Sequence, residues 1–405
     1  MSRALLVCPE PLSHQQPAGI GIRFLEMARV LRNDGHSIVL MSPDGATVQG
    51  CQAARISPQS LRERSASSDV AIVQGHVANE LWAHAAPIPT VVDLYDPFLI
   101  ENLHYYPSRG AEVFDHDHAT LMESLRRGDL FLCASSAQRL FYLGMLLAAG
   151  RLNPVAFEAD PTLRSLLRIA PFGVAAPPAT SPDRAPSAAV LFGGIYDWYD
   201  PLLAIDAIAL ARREIAGLTI TFTTHPNPSL TPQGKTAEAI DYVKKKGYEA
   251  FVQFAPWMPY ARRAEFYASF AAALMTFPPS LETDLSMRTR VYDFLWAGLP
   301  VISSSAPGTD ELIEHYGAGE IVMDGLAPAI AAAIVRTLTN RQTVQQRLST
   351  FARDHQWETT LAPLIEFVRS PRRDPTRELF ASNLSLAPRS TSVWKRLRQR
   401  MGDRS

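Results

Sequence analysis

Acidic and basic side chains crowd one short stretch of this sequence, PPSLETDLSMRTRVYDFLWAGLPVISSS at 278–305. Glu282, Asp284 and Asp293 are interspersed there with Arg288 and Arg290. Pro278-Pro279 stops the apolar run Ala273–Phe277. Ser286 is a fitting N-cap for a helix running to about Ala297, where Gly298 supplies the C-terminal stop. Leu299–Ile302 then reads as a short buried strand. A helix entered this way has its N-terminus at the carboxyl-end crevice of a parallel sheet, where open α/β folds take ligands. Its unpaired N–H groups and positive dipole end favour an anion. Arg288, Thr289 and Arg290 stand at that helix start with acids close by. A ligand that joins an anion to several hydroxyls, such as a nucleotide-sugar, suits the mixture. Arg290 and Asp293, three apart, equally suit an ordinary ion pair along one helix face.

The elements that must hold this stretch can be traced from the start of the chain. Ala4–Cys8 is an apolar strand, and the loop Pro9–Gly21 follows it. A helix from about Ile22 to Asn33 carries Phe24, Met27, Ala28 and Leu31 as one apolar stripe. Gly35-His36 closes it before a strand at Ser37–Met41, which completes a βαβ unit. Gly19 and Gly21, in the loop, would let backbone approach a phosphate or sugar closely. Further strands at Val70–Gln74, Thr90–Val92 and Leu130–Ala134 end in Gly75-His76, Asp93-Leu94-Tyr95-Asp96 and Ser135-Ser136. Such ends converge on one crevice in a doubly wound sheet. Asp93 and Asp96 fit a functional role there or simple capping before Pro97. Ala176–Ser187, rich in Pro, Ala and Ser, reads as a linker. Strands restart at Ala189–Phe192, Leu218–Thr223, Phe251–Phe254 and Ala273–Phe277.

Ala297-Gly298-Leu299-Pro300-Val301 resembles the end of the donor-site signature of the GT-B glycosyltransferases of family 4. In that signature two glutamates, with seven residues between them, lead into A-x-G-x-P-V. Asp293 occupies the second glutamate's place; the first falls at Leu285, with Glu282 and Asp284 as the candidate acids. Gly35-His36 before the second strand, Ser135 after Leu130–Ala134, and Pro171-Phe172-Gly173-Val174 resemble further family features. Phe192-Gly193-Gly194 resembles the glycine loop that opens the family's second domain, with Tyr196, Asp197, Trp198 and Tyr199 in place of its usual basic residues. Trp257-Met258-Pro259 resembles the turn set against the nucleotide base. Many members have a histidine where this chain has Asp93.

The resemblance implies the GT-B fold, two Rossmann-like doubly wound domains facing across a cleft. It implies an acceptor-side domain at 1–176, a linker at 177–187, a donor domain at 188–365 and a basic tail at 366–405. Trp357–Val368 would be the helix that crosses back to the first domain. The implied activity is hexosyl transfer from a nucleotide-diphosphate sugar (UDP, GDP or dTDP) to a hydroxyl acceptor, with retention and without a metal. The acceptor could be a glycan, a lipid-linked saccharide or a small molecule. Arg288, with the helix start near Thr289 and with Arg290, would stabilise the leaving diphosphate. Asp293 would take ribose hydroxyls, Glu282 the hydroxyls of the transferred sugar, and Trp257 and Met258 the base. Gly19, Gly21 and Gly194 would admit phosphate or sugar, and Asp93 would serve the acceptor side. Two other readings remain compatible: a nucleotide-sugar epimerase of the same fold, and a non-catalytic partner subunit.

Composition sets outer bounds. A chain of 405 residues accommodates two domains, and a formal charge of −1 gives no reason to expect nucleic acid. Cys8, Cys51 and Cys133 lack metal-ligand spacing, and Cys8 and Cys133 sit in apolar runs as small core residues. The N-terminus enters a strand directly, so no signal peptide and a cytoplasmic location are expected. Asp115-His116-Asp117-His118 has the D-x-D form of a cation site but follows no apolar strand, which favours a solvated face. In Trp394-Lys395-Arg396-Leu397-Arg398-Gln399-Arg400-Met401, Trp394, Leu397 and Met401 share one helical face among cations. That pattern suits either contact with an anionic membrane surface or a plain tail.

Overall fold

The computed structural model describes residues 1–13, 19–176, 188–224, 234–258 and 262–377. The expected linker 177–187, the turn residue Pro259 and the amphipathic stretch 394–401 lie outside them. Two parallel sheets organise the chain. The first has seven strands: β1 (Arg3–Val7), β2 (Ser37–Ser42), β3 (Gln52–Arg55), β4 (Val70–Val73), β5 (Thr90–Asp93), β6 (Leu130–Cys133) and β7 (Leu167–Ile169). Their order is β3-β2-β1-β4-β5-β6-β7. The second has six: β8 (Ala189–Gly194), β9 (Thr219–Thr223), β10 (Val252–Ala255), β11 (Ala272–Met275), β12 (Val301–Ser304) and β13 (Gly319–Val322), in the order β10-β9-β8-β11-β12-β13. Every pairing is parallel, as in β1 with β4 (Ala4 opposite Val70) and β11 with β12 (Ala273 opposite Val301). The order reverses beside β1 and beside β8, and a doubly wound sheet opens its ligand crevice at such a point.

The burial of these strands follows from helices on both faces. β4, β6 and β11 are buried at every position and read as continuous apolar runs without alternation, while the equally buried β5 (Thr90–Asp93) and β12 (Val301–Ser304) mix in polar residues. β3 was not legible because Gln52–Arg55 is a half-exposed edge, and β7 and β13 are short or poorly buried edges too. Six helices carry the argument that follows: α1 (Gly19–Asn33), α2 (Ala111–Arg127), α3 (Ser136–Ala148), α4 (Leu281–Leu285), α5 (Thr289–Trp296) and α6 (Ala362–Arg369). Gly19 and Gly21, expected in a loop, lie within α1. The Asp115–His118 run lies inside α2. Cys8 and Cys133 are buried free thiols, pushed up to about 12 by burial, and Cys51 is a third free thiol.

The chain returns to the first domain after the second sheet. Trp357 is fully buried, meets Phe172 edge-on at 4.6 Å, and sits where any Cβ on Gly173 would collide with its ring. Val174 bridges Gln356, Arg29 pairs with Glu358 (2.7 Å), and Ser2 Oγ donates to the Val368 carbonyl (2.7 Å). Residues 371–377 are docked as well: Arg151 pairs with Asp374 (2.6 Å), whose N–H donates to Asp129 (2.9 Å). The described start of the expected tail is therefore part of the first domain's surface. Among the described residues, no helix is long and apolar enough to cross a membrane.

Candidate active site

The charged stretch folds as two short helices with a break between them. Ser280, in extended backbone, caps α4 by accepting from the Thr283 N–H (3.1 Å). Ser286 is the residue that ends α4, and Arg288 occupies the N-cap of α5 without any side-chain cap. The expected single helix capped by Ser286 is thus corrected: the backbone stays extended at Ser286 (ψ 131°) and Arg288 (ψ 98°), so the helix restarts at Thr289. Both sequence-predicted members of the sugar and diphosphate site face inward from this break. Glu282 and Arg288 form a two-pronged ion pair, Nη1 to Oε1 at 2.5 Å and Nη2 to Oε2 at 2.7 Å, with both side chains buried. Phe277 and Tyr199 lie against the guanidinium at 4.5 and 5.3 Å, and its Nε has no hydrogen-bond partner among the described residues. Asp284, the other candidate acid, is exposed.

The first domain supplies the facing wall. A Cβ placed on Gly19 would lie 3.7 Å from Thr289 Cγ2, so α1 and α5 begin opposite each other. The Tyr95 hydroxyl lies near Thr289, and burial raises it well above its ordinary range. Gln138 Nε2 donates to Leu285 O and Tyr95 O (both 3.0 Å), and Ser286 Oγ donates to Glu101 (3.3 Å). Glu101 and Asp96 lie close enough to act on each other's charge, with Glu282 beside them. Burial holds the Asp96 carboxyl up at about 6, and burial plus the Asp96 charge lifts Glu101 well above the usual range. Glu10 accepts from the Gly21 N–H in the first turn of α1 (2.9 Å) and is likewise raised by burial. Glu10 and Glu101 had no motif to announce them; they meet the site only through tertiary placement.

The side expected to face the nucleotide is built on the β8 end. Arg290 Nη1 donates to the Gly194 carbonyl (2.7 Å), and its guanidinium lies by Tyr196 and Tyr199, 5.4 Å from each ring. Gly193 takes φ +84°, and a Cβ there would meet Arg290 Cδ at 2.8 Å. Gly194 approaches Trp257 equally closely, at 3.0 Å for an added Cβ, and Met258 packs half-buried nearby. Asp293 pairs with Arg263 (3.4 Å) and not along its own helix with Arg290. Burial pushes its carboxyl up to about 6 against the pull of Arg263 and Arg290. Arg263, which stacks on Trp296 at 4.3 Å, was not anticipated.

Asp93 has different surroundings from those expected. Arg23 of α1 donates to it through Nε (2.6 Å) and Nη2 (3.0 Å), then to the carbonyls of Ala170 (2.9 Å) and Pro171 (3.1 Å). Neither side chain is exposed. The expectation of acceptor chemistry at Asp93 is corrected accordingly: the carboxylate is a strut between β5, α1 and the chain leaving β7. Asp117 turns inward to His76 (2.9 Å) and Asn102 (2.6 Å), with His116 stacked on His76, while Asp115 and His118 point outward. Among the described residues, no group of three or more His, Cys, Asp or Glu is arranged to hold a metal ion.

This architecture has known counterparts. Residues 189–340, most of the second domain, match the family model of glycosyl transferases group 1. Solved structures share the two-domain fold at low identity. HepE from Anabaena, in complex with UDP-glucose, has a TM-score of 0.64 at 14% identity over 91% of this chain and 100% of its own. Sucrose-phosphate synthase from Thermosynechococcus elongatus has 0.63 at 13%, over 94% and 100%. WaaG, a glycosyltransferase involved in lipopolysaccharide biosynthesis, has 0.62 at 12%, over 91% and 100%. No curated protein matches the chain. The chain therefore has the GT-B fold, and the part of it that matches the glycosyl transferases group 1 model is residues 189–340.

Proposed function

We propose that this protein transfers a hexose from a nucleoside-diphosphate sugar to a hydroxyl acceptor. One observation carries the reading: the Gly19 end of α1 faces Thr289 at the start of α5, the N-cap residue Arg288 makes no side-chain capping bond, and the ion-pair fork joins Glu282 of α4 to Arg288 in the break before α5. Two helix N-termini aimed at one gap are suited to a diphosphate. Once the two helix starts have parted, the diphosphate lies between them, with Arg290 beside it. Asp293 and Arg263 serve the ribose, and Trp257 with Met258 the base. Glu282 and Glu101 serve the transferred sugar. As the diphosphate departs, negative charge develops against donors already in place, which is where electrostatic stabilisation acts most strongly.

The finer expectations belong to the same proposal. They are retention of configuration and activity without a metal, as the family-4 resemblance implies, and a glycan or lipid-linked acceptor in polysaccharide biosynthesis. Peripheral contact of residues 392–405 with a membrane at its cytoplasmic face completes it. The HepE complex holds UDP-glucose, so UDP-sugars head the panel to be tested. The protein is incubated with UDP-, GDP- and dTDP-hexoses, with and without candidate acceptors, and nucleotide release and glycosylated product are followed. Acceptor-dependent release without added metal supports the proposal. Conversion of the sugar without acceptor makes it an epimerase, and no turnover of any donor leaves a non-catalytic subunit.

A further inference from the structure

Away from the cleft, a cavity of about 280 Å³ lies where α6 and the chain beyond it meet the amino-end edge of the first sheet. It is walled by Leu130, Pro363 and Phe367 and holds Arg164, Arg168 and Arg372 together with Ser165. Arg168 pairs with Glu366 (2.5 Å), whereas among the described residues Arg164 and Arg372 form no ion pair. Three guanidinium groups against one carboxylate leave the cavity net positive. The loop that presents Arg164 and Ser165 is firmly built. Leu163 is the one non-glycine residue among those described with positive φ (+53°), and it is buried. An interior left-handed leucine is costly and persists only where its surroundings fix it. Asp160 does that fixing by accepting from the N–H groups of Thr162 (2.9 Å) and Ser165 (2.7 Å), and Arg139 grips the Thr162 carbonyl (2.6 Å).

We propose that Arg164, Arg168 and Arg372, with Ser165, form a second site that binds a small phosphate-bearing anion. Guanidinium forks match phosphate oxygens two at a time, and the volume is just below the roughly 300 Å³ at which drug-sized pockets begin. The site is separate from the donor cleft. Because Arg372 follows α6 and the other two arginines belong to the first domain, an occupant ties the returning chain to the first sheet and stabilises the fold.

The test uses the full chain and the variant R164A/R372A, whose substituted side chains are exposed. Thermal unfolding is measured with inorganic phosphate or pyrophosphate against sodium chloride of equal ionic strength. Sedimentation is measured with phosphatidylglycerol and with phosphatidylcholine vesicles. A free anion raises the wild-type Tm by about 2 °C or more at saturation and the variant's by less than half of that. A lipid headgroup as the source instead gives sedimentation with the anionic vesicles that the variant loses. Equal responses of the two proteins in both assays overturn the site. If the double variant fails to fold, R372Q alone, which removes no described hydrogen bond, takes its place in the same comparison.

Discussion

At the scale of single residues, Glu282 and Arg288 behave as one object. Both are buried and each saturates the other's fork, so removing one strands a charge where water cannot reach it. Arg288→Met should therefore cost about 3–5 kcal/mol of stability as well as roughly a hundredfold in turnover. Glu282→Leu combined with Arg288→Met should recover most of the stability and none of the activity. Urea unfolding of the single and double variants checks the first part, and initial rates on the best donor check the second; additive destabilisation would contradict the coupling. Asp293 calls for a different readout. Its carboxyl titrates at about 6 because burial disfavours the charge, so it is ionised and able to accept ribose hydroxyls above that pH. Asp293→Asn should weaken nucleotide binding by a few-fold to tens-fold at pH 7.5, and the two proteins should converge below pH 6. Calorimetric titration of UDP across that range decides it, and a pH-independent difference would remove Asp293 from the ribose.

At the scale of elements, the account turns on what brings acids of the first domain to α4 and α5. Glu101 and Asp96 are both raised above the ordinary carboxylate range, so the folded protein holds protons that the unfolded chain releases. Their contribution to stability must therefore fall as pH rises from about 4 to beyond 6. Glu101→Gln should flatten that part of the stability profile relative to wild type. Chemical unfolding at half-unit steps between pH 4.5 and 7.5 shows whether it does; parallel profiles would mean that the pair is already fully charged. These elements also mark how far the sequence could be read. The strand–glycine–helix rhythm and Ala297-Gly298-Leu299-Pro300-Val301 rest on local patterns, which burial along a parallel sheet makes legible, whereas the burial of Glu282 rather than Asp284 is decided by packing. The Ser286 cap was misread because the pattern cannot distinguish one helix from two separated by three residues in extended or irregular backbone. Glu10, Glu101, Arg23 and Arg263 were missed, and Asp93 misassigned, because their partners lie far away in sequence and only the packed domains bring them together.

At the scale of the whole molecule, the two domains touch at the site itself. Gln138 reaches Leu285, Ser286 reaches Glu101, and Gly19 faces Thr289 with little room between them. A donor cannot enter through contacts this close, so the arrangement corresponds to a closed cleft that must open and reclose during turnover. Small-angle scattering should show the free protein with a larger radius of gyration than this closed arrangement has, and a fall toward the closed value when a nucleotide-sugar binds. An unchanged radius with a donor shown separately to bind would argue for entry by another route.

The central claim is that the donor's diphosphate occupies the gap between the starts of α1 and α5. Replacing Gly19 by valine places branched bulk where an added Cβ already meets Thr289 at van der Waals distance, in a helical turn whose backbone valine can adopt. Titrating wild type and Gly19→Val with UDP, GDP and dTDP measures this directly, with far-UV circular dichroism and Tm as controls. The account predicts at least a tens-fold loss of affinity for whichever nucleotide binds, with the fold intact. A folded Gly19→Val protein that binds that nucleotide as tightly as wild type would place the donor elsewhere.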